Sequence, residues 1–175
     1  MRLNAALLWV IACGTLLPEV SRAKEEIVAD GKLSVTIPLG WKAVTKLQAG
    51  AKAGFQSVDG HTQVYVIPLA GGGNSSNFDL VRNYIEVYKQ NFALIQEGEY
   101  KSGKVGDIEA AFQVLDLAIL QGDNQMKYRF FLMVFPMGAD AYLIQSSTPL
   151  PVHDYRKKEI LEIMRSVKVL KSPFD

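Results

Sequence analysis

The stretch Gln125 to Ser147, QMKYRFFLMVFPMGADAYLIQSS, constrains the fold more than any other part of the chain. In an extended backbone, side chains alternate between two faces. Met126, Tyr128, Phe130, Leu132 and Val134 fall on one face, and Lys127, Arg129, Phe131, Met133 and Phe135 on the other. A strand that is apolar on both faces needs cover on both, so it belongs centrally in a sheet with helices packed on each side. Lys127 and Arg129 mark the end that reaches water. Pro136 ends the run, Met137 to Asp140 turn the chain, and Ala141 to Ser147 return beside it, the usual arrangement of consecutive strands. The aromatic side chains are read as core rather than as ligand lining.

Other strands are announced by their turns. Ile27 to Ala29 and Lys32 to Ile37 flank Asp30-Gly31, and both turn residues tolerate positive φ, so a two-residue hairpin is expected to start the sheet here. Pro38-Leu39-Gly40 suits a β-turn that returns Trp41 to the body, where it is read as packing rather than ligand stacking. Ala53 to Val58 and His61 to Pro68 flank Asp59-Gly60 in the same way, with Val64 and Val66 facing opposite to Tyr65 and Ile67. Tyr100 to Lys104 and Ile108 to Leu120 flank a turn at Val105 to Asp107, and Gln121 to Asn124 turn into the central strand.

Two helices are predicted. Phe78, Val81, Tyr84, Ile85, Tyr88, Phe92 and Ile95 recur at helical spacing behind a Ser76 cap, with Asp79 three residues on and Gly98 closing the element. The preceding Ala70 to Asn77 is glycine-rich, but it lacks the Lys-Ser/Thr pair of a phosphate loop and is read as a loop and cap. After Thr148-Pro-Leu-Pro, Val152 to Val167 forms the second helix. Ile160, Ile163, Met164 and Val167 are its inner face, and Arg156, Lys157, Lys158, Glu159 and Glu162 its solvated one.

The first 23 residues read as an address. Arg2, an apolar segment from Ala5 to Leu17, Pro18, and the small-x-small triplet Ser21-Arg22-Ala23 make a signal peptide cut between Ala23 and Lys24. The apolar run is shorter than the roughly 20 residues a membrane-spanning helix needs. An alternative is lipidation at Cys13, since Val10-Ile11-Ala12-Cys13 resembles a lipobox. The division is thus 1–23 signal peptide and 24–175 one domain, periplasmic or secreted, or lipid-anchored to the envelope if Cys13 is used. Residues 1–23 hold Arg2, Arg22 and Glu19, which leaves 17 basic and 17 acidic side chains of the 19 and 18 in the chain. A neutral domain lacks the excess positive charge for nucleic acid or an anionic membrane, so membrane contact is expected only through a lipid on Cys13. Without cysteine it must stand on its hydrophobic core, for which about 150 residues suffice.

Catalytic patterns are not found. The two histidines, His61 and His153, have no metal-ligand spacing, and there is no nucleophile elbow, zinc-protease helix or dinucleotide fingerprint. No cofactor and no catalytic or metal residue is assigned. Asp59 is the only close partner for a functional His61. Asp116, between Leu115 and Leu117, is either a buried acid or a sheet-end carboxylate.

An exported chain whose early strand runs into Pro38-Leu39-Gly40-Trp41, followed by a middle helix, long antiparallel strands, and a closing helix ending Ile163-Met164-Arg165-Ser166-Val167-Lys168-Val169, resembles the PsbP-like superfamily and its periplasmic DcrB-type bacterial relatives. The resemblance covers about residues 27 to 170. It implies an α+β fold: an α/β/α sandwich around an antiparallel sheet, here of six to seven strands, with helices on both faces. It also implies non-catalytic work assisting membrane complexes or envelope processes, and supplies no catalytic residue. The expected function is a non-enzymatic envelope accessory protein acting through a protein partner. The alternatives are a small-ligand or lipid carrier, with a cleft beside Tyr84, Tyr88 or the Gly71 to Gly73 loop, and an envelope hydrolase in which Asp116 or His61 opens onto a deep pocket.

Overall fold

The computed structural model describes residues 23–121 and 124–170. The chain runs β1 (Lys24–Val28), β2 (Leu33–Ile37), β3 (Lys42–Ala43), β4 (Ala53–Gln56), β5 (Gln63–Leu69), α1 (Asn77–Asn91), β6 (Ala93–Glu97), β7 (Lys101–Val105), β8 (Ile108–Gln121), β9 (Asn124–Met137), β10 (Asp140–Pro149), α2 (Asp154–Ser166) and β11 (Lys168–Val169). An eight-stranded antiparallel sheet carries the order β3-β4-β5-β10-β9-β8-β6, and β7 also pairs β8. The β6 and β7 strands therefore share one edge, β6 along Leu115–Ala118 and β7 along Ile108–Phe112. The sheet is larger than the six to seven strands expected, because the edge is built from two short strands and β3 is a two-residue extension.

The double-faced reading of Gln125 to Ser147 holds. Between β8 and β10, β9 turns Phe130, Leu132 and Val134 into one core and Phe131, Met133 and Phe135 into the other. The first core lies under α1, which contributes Val81, Ile85 and Tyr88. The second lies under α2, whose Ile160, Ile163 and Met164 are buried as the spacing requires, as is Val167, the extended residue that caps it. The faces of β5 divide the same way, Val64 and Val66 with α2, Tyr65 and Ile67 with α1. The result is an α+β sandwich with a helix on each face of the sheet.

Three expectations are corrected. The first hairpin does not start the main sheet, since β1, β2 and β11 form a separate three-stranded sheet. Leu33, Val35 and Ile37 join the α2 core from this small sheet. Its turn is not a two-residue Asp-Gly loop: pairing stops at Val28↔Leu33, and Ala29, Asp30 and Gly31 all take positive φ. Second, α1 ends at Asn91, not at Gly98. Asn91 Nδ2 donates to Val87 O, Phe92 is extended, and Ala93–Glu97 pairs with β8, with a bulge between Leu94 and Gln96. Ile95 lies three residues after Phe92 and so mimics a helical period, while strand pairing decides the conformation. Third, Arg156 is not on the wet side of α2: it is 8% exposed. It stands four residues before Ile160, on the continuation of the buried stripe.

Candidate binding cleft

α2 packs on the small sheet and on the face of β9 that carries Phe131 and Met133, and toward the β7–β8 edge its cover is incomplete, with Phe112 and Val114 only half-buried. There a cleft of about 630 Å³ opens between the helix and the sheet edge. Its floor is apolar: Phe112, Val114 and Phe131 from the sheet, Leu161 and Met164 from the helix. The volume falls within the range of ligand and side-chain pockets, roughly 300–1,000 Å³. Local sequence explains the shape. In β7, Lys101, Gly103 and Val105 face the same core as Ile108 and Phe112, their cross-strand partners' side. Gly103 leaves room for the Phe112 ring, which a Cβ there would meet at 2.7 Å. The floor is thus an aromatic ring lying across a glycine at a sheet edge. The turn between β6 and β7 is fixed by Gly98 N–H donating to Val114 O at 2.8 Å, and by the buried Gln113 amide donating to Gly98 O at 2.7 Å.

The rim is charged. Lys101 comes from the sheet edge, Lys157 and Arg165 from α2, and Glu99 is the one carboxylate of the lining. None of the three cations belongs to an ion pair among the described residues. Lys157, Leu161 and Arg165 stand at intervals of four, so one stripe of the helix faces the cleft.

The sequence candidates lie elsewhere. Asp116 is buried, but it is bonded to Arg129, its direct cross-strand partner, with Nε and Nη2 each donating to a carboxylate oxygen at 2.7 Å. These two hydrogen bonds, ahead of burial which opposes them, raise the Arg129 pKa. His61 and His153, distant in sequence, line one recess of about 300 Å³ beside Asp59, Thr62, Thr148 and Arg156. The Asp59 carboxylate accepts from Ser57, from the His61 backbone N–H at 3.0 Å and from Arg156 Nη2 at 2.7 Å. The Ser57 hydroxyl is the main cause that holds its pKa below the ordinary range. Arg156 also bonds Glu159 and stacks over Trp41, 5.6 Å from the ring centroid. Asp59 is therefore the partner of Arg156 rather than of the His61 ring, and Trp41 is a packing residue, 8% exposed. Thr62 and Thr148 hydroxyls bond each other at 2.8 Å. Among the described residues no three His, Cys, Asp or Glu side chains are placed to hold a metal ion.

Protein fills the space assigned to a ligand beside Tyr88, whose ring packs on Tyr84, Phe92 and Phe130 and whose hydroxyl bonds Gln145. Gly73 packs on the β9–β10 turn, with its N–H on Ala139 O at 3.0 Å. The Gly71 to Gly73 loop is thus a structural contact, and Ser76 caps α1 by accepting from Asp79 N–H as expected. Residues 1–22, which hold Cys13 and all but the last residue of the expected signal peptide 1–23, lie outside the described residues, while Ala23 is exposed and Lys24 opens β1. No helix of the described residues is long and apolar enough to cross a membrane. The cleft itself was missed in sequence because it joins β7, β8, β9 and α2. Its one local signal is the Lys157, Leu161, Arg165 stripe.

No family model and no curated protein matches the sequence. Solved structures share the fold. A cyanobacterial PsbP (CyanoP) from Synechocystis superposes with a TM-score of 0.58 at 13% identity, over 91% of this chain and 98% of that one. The Saccharomyces cerevisiae Ran-binding protein Mog1p gives 0.61 at 11% identity, over 85% and 96%. A Bacteroides thetaiotaomicron protein gives 0.57 at 16% identity over 85% of this chain, which spans only 49% of that longer protein. The chain therefore has the fold expected of the PsbP-like superfamily.

Proposed function

We propose that this chain is a non-enzymatic, exported accessory protein of the bacterial cell envelope that acts by binding a protein partner in the cleft beside α2. The observation that carries the reading is the cleft's construction: an apolar floor under three cations that form no ion pair among the described residues. Such a surface has desolvation to gain from an apolar anchor and charge to gain from an acidic neighbour. Two further facts support it. The carboxylates best placed for acid–base work, Asp116 and Asp59, are each committed to an arginine. One solved structure of the same fold is a Ran-binding protein, so the fold is used elsewhere to bind a protein. Export rests on the leader, with cleavage after Ala23 releasing residues 24–175, and the DcrB-type likeness belongs to the same proposal.

The test is site-specific photo-crosslinking in cells, with the reactive residue at Leu161 or Ser102 in the full chain and a control at Lys46. A discrete protein adduct from the cleft positions alone is expected. Adducts equally frequent from the control, or none from the cleft, overturn the proposal.

A second reading, a carrier of a small amphiphile, is favoured by the cleft's volume and apolar floor. Native mass spectrometry of protein from its own compartment decides it: repeated recovery of the bare mass rules it out. The hydrolase reading has no comparable support, because Asp116 is bonded to Arg129 and His61 lines only the smaller recess.

A further inference from the structure

Resting on that reading, we propose that the segment docked in the cleft is helical and carries an acidic–apolar–acidic stripe at intervals of four residues, laid alongside α2. The stripe it would meet is Lys157, Leu161 and Arg165, cation, apolar, cation along one side of the helix. Eight residues of α-helix rise about 12 Å, so the two cations lie about that far apart along the axis with the apolar floor between them. A single-headed amphiphile bears its charge at one end and can neutralise one cation only. A second copy of this chain docked about a two-fold axis would set like charge against like. A partner helix with Glu or Asp at the first and ninth positions and Leu or Phe at the fifth matches all three residues at once, by the helix-in-groove mode. Glu99 stands on the β6–β7 connection, where it disfavours a second carboxylate, whereas Lys157 and Arg165 attract one on the α2 side of the cleft.

The test uses the full chain and designed helical peptides of about 20 residues, long enough to hold a helix in water. One carries Glu–Leu–Glu at the three positions, one Lys–Leu–Lys, and one Glu–Ala–Glu. Each is titrated by fluorescence anisotropy against the wild type and the Lys157→Glu/Arg165→Glu variant. Both substituted side chains are exposed, and urea denaturation confirms that the variant keeps its fold. The Glu–Leu–Glu peptide is expected to bind the wild type roughly tenfold more tightly than Lys–Leu–Lys, and the order to invert on the variant. Glu–Ala–Glu is expected to bind more weakly than its leucine parent. Equal affinity of the two charged peptides, no binding by Glu–Leu–Glu, or displacement of it by dodecanoate at stoichiometric concentration overturns the proposal. The Leu161 cross-link separates the two levels: a protein adduct in cells with no Glu–Leu–Glu binding discards the acidic helix and keeps the protein partner, whereas failure of both discards both.

Discussion

Two arginines on this molecule do their work through carboxylates that no sequence pattern connects to them. Arg129 sits opposite Asp116 across two long strands, and the strand register alone brings them together. Its removal leaves a carboxylate whose side chain is only 7% exposed. With Arg129 itself 30% exposed, Arg129→Ala is expected to cost about 2–3 kcal/mol in urea denaturation, below the full penalty of a buried pair. Replacing both partners, Asp116→Leu with Arg129→Met, is expected to recover most of it. Arg156 is held by Asp59, 97 residues away, with Trp41 beneath it. The Asp59 pKa lies below its ordinary 3.8 because Ser57 first, then the His61 N–H and Arg156, favour the charged form against burial. A lowered folded pKa means that the stabilisation is complete above 3.8 and is lost as pH falls through the lower folded value. Asp59→Asn is therefore expected to flatten the acid limb of Tm against pH and to leave its slope above neutrality unchanged, followed by Trp41 fluorescence.

Turn chemistry and periodicity located eight of the eleven strands and both helices, because glycine-bearing turns and a two-faced apolar strand are local facts. They failed where one period imitates another. Phe92 and Ile95 continue the helical spacing of α1, yet Ala93–Glu97 is a strand whose partners, Leu115 to Ala118, lie well ahead in the chain. The glycines between β5 and α1 show the same division. Gly71 adopts φ +70 with open space around it, so the sequence alone accounts for it. Gly73 is glycine because a Cβ there would lie 2.0 Å from the Gly138 carbonyl oxygen, a backbone atom that cannot move aside. Gly73→Ala is expected to cost about 3 kcal/mol through overpacking and Gly71→Ala about 1 kcal/mol through backbone strain, a contrast that chemical denaturation of the two variants measures.

Across the whole molecule, the arrangement of two sheets about α2 was beyond sequence reading. Strand patterns do not say which sheet a hairpin joins, and a two-residue strand such as β11 has no pattern at all. The helix is buried on one side by β9 and β5 and on another by Leu33, Val35 and Ile37 of β2. Ile163, wholly buried between them, couples the layers. Ile163→Ala is expected to destabilise the fold by about 3 kcal/mol and to raise amide exchange in β1, β2 and β11 as much as in α2, where a mere local cavity would affect the helix alone.

The small sheet also sets a timetable. β1 begins at Lys24, whose Cα is in register with Ile37, and the bond proposed for signal cleavage is the one immediately before it. A peptidase needs several residues on each side of its bond in extended, unpaired form, and residues 24–28 are taken up by β2 once the domain has formed. If the chain is cut after Ala23 as proposed, maturation and folding compete for the same five residues, and the cut must come first. A precursor allowed to fold before it meets signal peptidase is expected to be processed several-fold more slowly than one presented unfolded, and the gap to close when Val35→Asp weakens β2. Pulse-labelled processing of the two precursors measures it, and equal rates would show that β1 pairs too weakly to guard the bond.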